Sequence, residues 1–165
     1  FSDYSRRDIK GLDIALDLFD KFNKVNNGNC ILNIFGDIKK KYLNKENVNV
    51  LGSIKKPSEL KRIYSASDLL INPSRLESFG QIALEALACG LPIRININTG
   101  TNDLILCDEM GYVLENESDS NFGTLLEWFN KNCLANNQKL LHRKIKENFS
   151  YDVVATKYKS LIDEI

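Results

Sequence analysis

Two carboxylates, Glu77 and Glu85, stand eight positions apart in the stretch 72–92, NPSRLESFGQIALEALACGLP. The helical part of this stretch, 79–89, is apolar all round except for Gln81 and Glu85. A helix without a polar face belongs in an interior, so a carboxylate inside it needs a partner to offset its desolvation. When ionised, a carboxylate only accepts hydrogen bonds, which suits it to vicinal hydroxyls. Gly80 lets backbone approach a ligand closely, and the free N–H groups at the helix start offer partial positive charge to a phosphate. A fully helical path at about 1.5 Å per residue would separate the two carboxylates by about 12 Å, the reach of a nucleoside diphosphate sugar. The pattern therefore suits a diphosphate at the helix start with sugar hydroxyls on one carboxylate and ribose hydroxyls on the other. Spacing alone equally allows a solvated Glu77 and a buried Glu85 paired with some Lys or Arg.

The elements needed to position such a helix are legible on both sides of it. Leu69, Leu70 and Ile71 form a short apolar run that reads as a buried strand, ended by Asn72-Pro73-Ser74. Gly90 stands where a left-handed cap is wanted, and Pro92 forbids further helix. In an open parallel sheet, a strand–loop–helix–turn–strand unit puts the loop and helix start above the carboxyl ends of the strands, where ligands of such folds bind. Upstream, Leu12, Ala15, Leu16, Leu18, Phe19 and Phe22 recur at helical spacing after Gly11, and strands are expected at 30–35 and 48–51, then a helix at 59–66. Downstream, Ile93, Arg94, Ile95, Asn96 and Ile97 alternate as a half-buried strand does, so Arg94 and Asn96 imply an exposed face or a local partner. A last strand is expected at 111–114, followed by helices at 121–132, 137–148 and 153–165. Strands alternating with helices throughout predict an α/β fold, a Rossmann-like three-layer domain with a parallel sheet covered on both faces.

Glu77, Ser78, Phe79, Gly80, Glu85, Ala86, Ala88, Gly90 and Pro92 fill the frame E-[GS]-F-G…E-A-x-A-x-G-x-P, with seven residues between the two glutamates. The stretch resembles the signature of the family 4 (group 1) retaining glycosyltransferases, which have the GT-B fold. Lys10-Gly11, Phe35-Gly36, Leu51-Gly52 and Phe149-Ser150-Tyr151-Asp152 agree with that family in order. The resemblance covers nearly the whole chain but only the C-terminal half of such an enzyme. It implies that residues 1–165 are the nucleotide-sugar-binding domain, that an N-terminal acceptor domain lies elsewhere, and that 151–165 crosses onto that other half. It further implies that Glu85 holds ribose and Glu77 holds the donor sugar, while Ser78 and the backbone of Phe79, Gly80 and Gln81, with Lys10, receive the diphosphate. Stabilising that leaving group makes Lys10, with Glu77, part of the catalytic machinery.

An arginine that family members place about five residues ahead of this lysine falls on Ser5, so either Arg6 or Arg7 serves across a longer loop or both are solvated, and the residues leave these two readings equal. Gly52-Ser53-Ile54 would pass beside the nucleobase. Thr99-Gly100-Thr101-Asn102-Asp103 takes the place of a Gly-Gly-x-x-[ED] loop that approaches the donor phosphates; Gly100 and Asp103 match, and Thr99 replaces the first glycine. Capping alone would also favour Thr101 and Asn102 there. The implied substrate is a UDP- or GDP-linked sugar with no cofactor and no metal, the acceptor being a glycan or lipid-linked hydroxyl of the kind built into cell-surface polysaccharide. Two rivals share these residues: a sugar-nucleotide epimerase of the same fold, and a module that binds nucleotide sugars without chemistry.

Composition narrows the remainder. Lys plus Arg and Asp plus Glu are 22 each in 165 residues, so no net field recruits nucleic acid or an anionic membrane. Apolar runs fall short of the roughly 20 residues that span a bilayer, and no signal peptide opens the chain, which reads as cytoplasmic. Any contact with the inner face of a membrane would come through the other half. The four cysteines, Cys30, Cys89, Cys107 and Cys133, lie in apolar surroundings with no C-x-x-C pair and read as reduced, buried packing residues. The single histidine, His142, sits among Lys and Arg and reads as a surface residue.

Overall fold

The computed structural model describes residues 9–36, 45–97, 99–114, 122–133 and 137–164. Helix α1 (Leu12–Val25) turns Ala15, Leu18, Phe19 and Phe22 inward, as its apolar spacing demands. Strands β1 (Leu32–Phe35) and β2 (Val48–Gly52) follow, then helix α2 (Pro57–Ser65), which has proline in its first turn. Next come β3 (Leu70–Asn72), α3 (Gln81–Ala88), β4 (Ile93–Asn96), a 3-10 helix (Gly100–Leu104) and β5 (Gly111–Leu114). Helices α4 (Phe122–Asn132), α5 (Gln138–Phe149) and α6 (Tyr151–Asp163) complete the order.

Every described strand pair is parallel, as the alternation predicts, but the pairing falls into two ladders, β1 with β2 and β3-β4-β5. Helices cover both faces of the second ladder. Ile93 and Ile95 of β4 face Ala83, Ala86 and Leu87 of α3, together with Leu141 and Ile145 of α5, in the larger core cluster. Leu18 and Phe22 of α1 join Leu125 and Trp128 of α4 over Ile71 and Tyr112 on the opposite face. This is the expected α/β arrangement of three layers.

Several expectations need correction. The alternation in β4 does not mark an exposed face: all four residues are buried, Arg94 at 0% and Asn96 at 8% exposure. Arg94 lies in register between Ile71 and Tyr112, so its alternate position faces the α1–α4 layer rather than water. Asn96 has the local partner that alternation allowed for, its Nδ2 donating to the carbonyls of Pro73 at 2.9 Å and Ser74 at 3.1 Å. The cysteines are free thiols but only half-buried, because each sits at the margin of a core cluster. Helix α3 begins at Gln81 rather than Phe79, because Gly80 takes a left-handed φ of 83° as its N-cap and sets Phe79 outside the helix. Its outer face is open, with Ile82 at 42% exposure, so it is not an interior helix on every side. In α6, no residue is buried; Tyr151, Tyr158, Leu161 and Ile162 are between 58% and 87% exposed. Among the described residues, no helix is long and apolar enough to cross a membrane.

Candidate functional site

Three segments converge beyond the carboxyl ends of β3 and β4: the turn before α1, the β3–α3 loop, and the β4-to-3-10 loop. They meet through backbone. The Arg75 N–H donates to the Ile9 carbonyl at 2.8 Å, and the Gly100 N–H donates to the Glu77 carbonyl at 2.9 Å. Gly100 lies against the Ser78 carbonyl so closely that a Cβ there would overlap it. A Cβ on Gly80 would overlap the Thr101 hydroxyl, and its left-handed φ would be strained in any other residue. The glycines at 80 and 100 therefore let two loops lie one on the other at the start of α3.

The two residues expected to meet the diphosphate and sugar face each other. Lys10 Nζ stands 2.9 Å from Glu77 Oε2, with side-chain exposures of 67% and 22%. An ion pair this exposed is worth about 0.2–1 kcal/mol, so an incoming anion can exchange it without a large cost. Beside it, the backbone of α3 opens with N–H groups that the helix itself leaves without a partner. Ser78, Phe79 and Gln81 are exposed around this opening, Phe79 at 44%.

Glu85 lies within α3 and is half-buried. The Tyr64 hydroxyl donates to its Oε2 at 3.4 Å, a long bond. Tyr64 itself is 2% exposed, with its ring edge-on to Phe35 at 6.1 Å. Burial, then the neighbouring Glu85 charge, pushes the Tyr64 hydroxyl far above its ordinary value, so it remains a neutral donor. Among the described residues the hydrogen-bond partner of Glu85 is thus a tyrosine rather than the Lys or Arg that the plain reading expected, and the residue is only half-buried.

Thr101 is fully buried, its hydroxyl turned toward Gly80 rather than outward. Neither Thr101 nor Asn102 caps the 3-10 helix by side chain: the Asn102 amide donates back to the Ile97 carbonyl, and Thr99 Oγ1 to the Asn96 carbonyl at 2.9 Å. Ile54 is half-buried in the segment after β2. Arg6 and Arg7 lie outside the described residues. His142 is exposed, as expected, with Nδ1 2.7 Å from the Ala88 carbonyl at the end of α3.

Residue-type reasoning missed one feature, the bidentate pair of Arg75 with Asp13, at 3.1 and 2.9 Å. The guanidinium hydrogen bonds hold the Asp13 carboxyl below its ordinary value of 3.8. Arg75 was visible only as an unassigned position within the glutamate motif, and nothing in the sequence joins it to an aspartate 62 residues away.

A parallel sheet covered by helices on both faces, with its loops and one helix start gathered over the strand ends, defines a Rossmann-like α/β domain. The chain belongs to the glycosyl transferases group 1 family, whose model matches residues 4–148. It is 32% identical over 101 residues, 58% of its length, to an uncharacterized glycosyltransferase of Methanocaldococcus jannaschii, of which the match takes in 25%. Against the D-inositol 3-phosphate glycosyltransferase of Rhodococcus opacus, it is 35% identical over 71 residues, 43% of this chain and 16% of that one. The crystal structure of Anabaena HepE in complex with UDP superposes with a TM-score of 0.69 at 18% identity, covering 95% of this chain and 46% of that chain. The chain therefore spans less than half the length of these similar proteins.

Proposed function

We propose that this chain is the donor-binding half of a retaining glycosyltransferase that passes a sugar from a UDP- or GDP-linked donor to a glycan or lipid-linked hydroxyl in polysaccharide synthesis. The observation that carries this reading is the meeting of Lys10, Glu77 and the α3 N-terminus over the ends of β3 and β4. Lys10 and the helix start supply positive charge to a diphosphate, which is most stabilised as charge develops on the departing group. Glu77, once relieved of Lys10, accepts hydrogen bonds from the sugar, and Glu85, steadied by Tyr64, accepts them from ribose. The match to group 1 glycosyltransferases and the likeness to a UDP-bound fold support the substrate class.

Because protein groups supply the positive charge, binding proceeds without a divalent metal. Calorimetry with UDP and GDP, each with and without EDTA, tests both points. Binding that persists in the chelator is expected. Binding abolished by the chelator would overturn the metal-free reading, and no binding of either nucleotide would overturn the donor site.

A further inference from the structure

Lys10 is 67% exposed, so its place beside Glu77 is not set by burial. It is set by where the turn before α1 is held, and that turn is fastened to the β3–α3 loop at three points. The Arg75 N–H binds the Ile9 carbonyl at 2.8 Å. The Arg75 guanidinium takes both oxygens of Asp13, in the first turn of α1. Gly11, at a left-handed φ of 67°, lies so close under the Pro73 carbonyl that a Cβ would overlap it. On its other side the same loop is fixed to the sheet, since Asn96 of β4 binds the Pro73 and Ser74 carbonyls.

We propose that Asp13 and Arg75 are positioning residues for the anion site: their ion pair docks the turn carrying Lys10 against the loop carrying Glu77, and so sets the Lys10 ammonium at the start of α3. The inference rests on the reading of that helix start as the diphosphate site. A planar fork on a carboxylate fixes both distance and orientation, which a lysine at position 75 would not do. The Arg75 side chain is only 12% exposed, against 59% for its partner Asp13, so the guanidinium that grips the turn is itself held within the structure, unlike the Lys10 ammonium at 67%.

The sign of one substitution separates positioning from plain electrostatics. By Coulomb's law, removing the Asp13 charge near an anion site strengthens anion binding. Positioning requires the reverse, because Asp13→Asn loosens the turn that carries Lys10. The test is calorimetry with UDP or GDP, whichever the unaltered chain binds, on Asp13→Asn, Arg75→Lys, Lys10→Ala and the double variant of Lys10→Ala with Asp13→Asn. Melting curves accompany each variant. Asp13→Asn and Arg75→Lys should each weaken binding by about tenfold, the scale of one charge-assisted hydrogen bond, with the melting transition retained. In the Lys10→Ala background, Asp13→Asn should add nothing, because the residue it positions is gone.

Tighter or unchanged binding by Asp13→Asn, or a further loss in the Lys10→Ala background, would overturn the inference while leaving the donor site standing. Hydrogen exchange of the ligand-free chain gives a second readout that does not depend on the nucleotide. Asp13→Asn should speed exchange of the Arg75 amide, which the Ile9 carbonyl protects, while amides of the buried β4 stay unchanged. Unchanged exchange at Arg75 would overturn the docking role even if no nucleotide binds.

Discussion

Glu85 is the residue at which structural and functional roles come closest, because its carboxylate meets a buried tyrosine while the residue itself is only half-buried. Glu85→Gln keeps the shape and leaves the Tyr64 hydroxyl an acceptor oxygen, but it removes the charge and turns one acceptor into a donor. If Glu85 holds ribose, nucleotide affinity should fall by about 1.5–3 kcal/mol, the worth of a hydrogen bond to a charged group, with little change in melting temperature. Calorimetry beside a melting curve checks this. A lowered melting temperature with affinity unchanged would return Glu85 to the role of a structural acid.

At the level of elements, α3 and α6 stand at opposite ends of the packing range. Helix α3 is pinned between β4 and α5: Ala83, Ala86 and Leu87 are all at 0% exposure, and His142 reaches its last turn from α5. Helix α6 packs beside α5 but buries no residue. Leu87→Ala should cost about 2–5 kcal/mol in urea unfolding, the lost transfer energy plus a cavity that the facing Ile93 and Ile95 cannot close. Ile162→Ala, at a position 70% exposed, should stay within about 0.5 kcal/mol. The site is thus placed on the rigid element, and a large loss from Ile162→Ala would show that α6 is held by contacts this chain makes in solution.

For the molecule as a whole, the proposed division of labour makes a negative prediction. Transfer needs an acceptor hydroxyl held about 3–3.5 Å from the reacting carbon, and such positioning accounts for about 7–11 kcal/mol of barrier lowering. The described residues build one wall around a helix start that stands open to water, which also weakens stabilisation of a leaving diphosphate. This 165-residue chain alone should therefore bind donor but give no acceptor-dependent transfer in a radiolabelled-donor assay. Transfer well above background would show that the acceptor platform is dispensable.

The period of apolar residues and the turn residues determined most of the architecture, because helix and strand periodicity and glycine or proline punctuation are local properties of a chain. The order of α1 to α6, the parallel pairing and the helix bearing Glu85 all follow from them, and the glutamate frame is local enough to read directly. What only the tertiary structure decided are the partners across sequence. Glu85 meets Tyr64 21 positions away, Lys10 meets Glu77 67 positions away, and Arg75 grips Asp13 62 positions away. Side-chain type states what a group can bond, but which group arrives depends on how the layers stack. The burial of Arg94 shows the same limit: alternation along β4 told which residues share a face, and only the helices α1 and α4 laid over that face made it an interior.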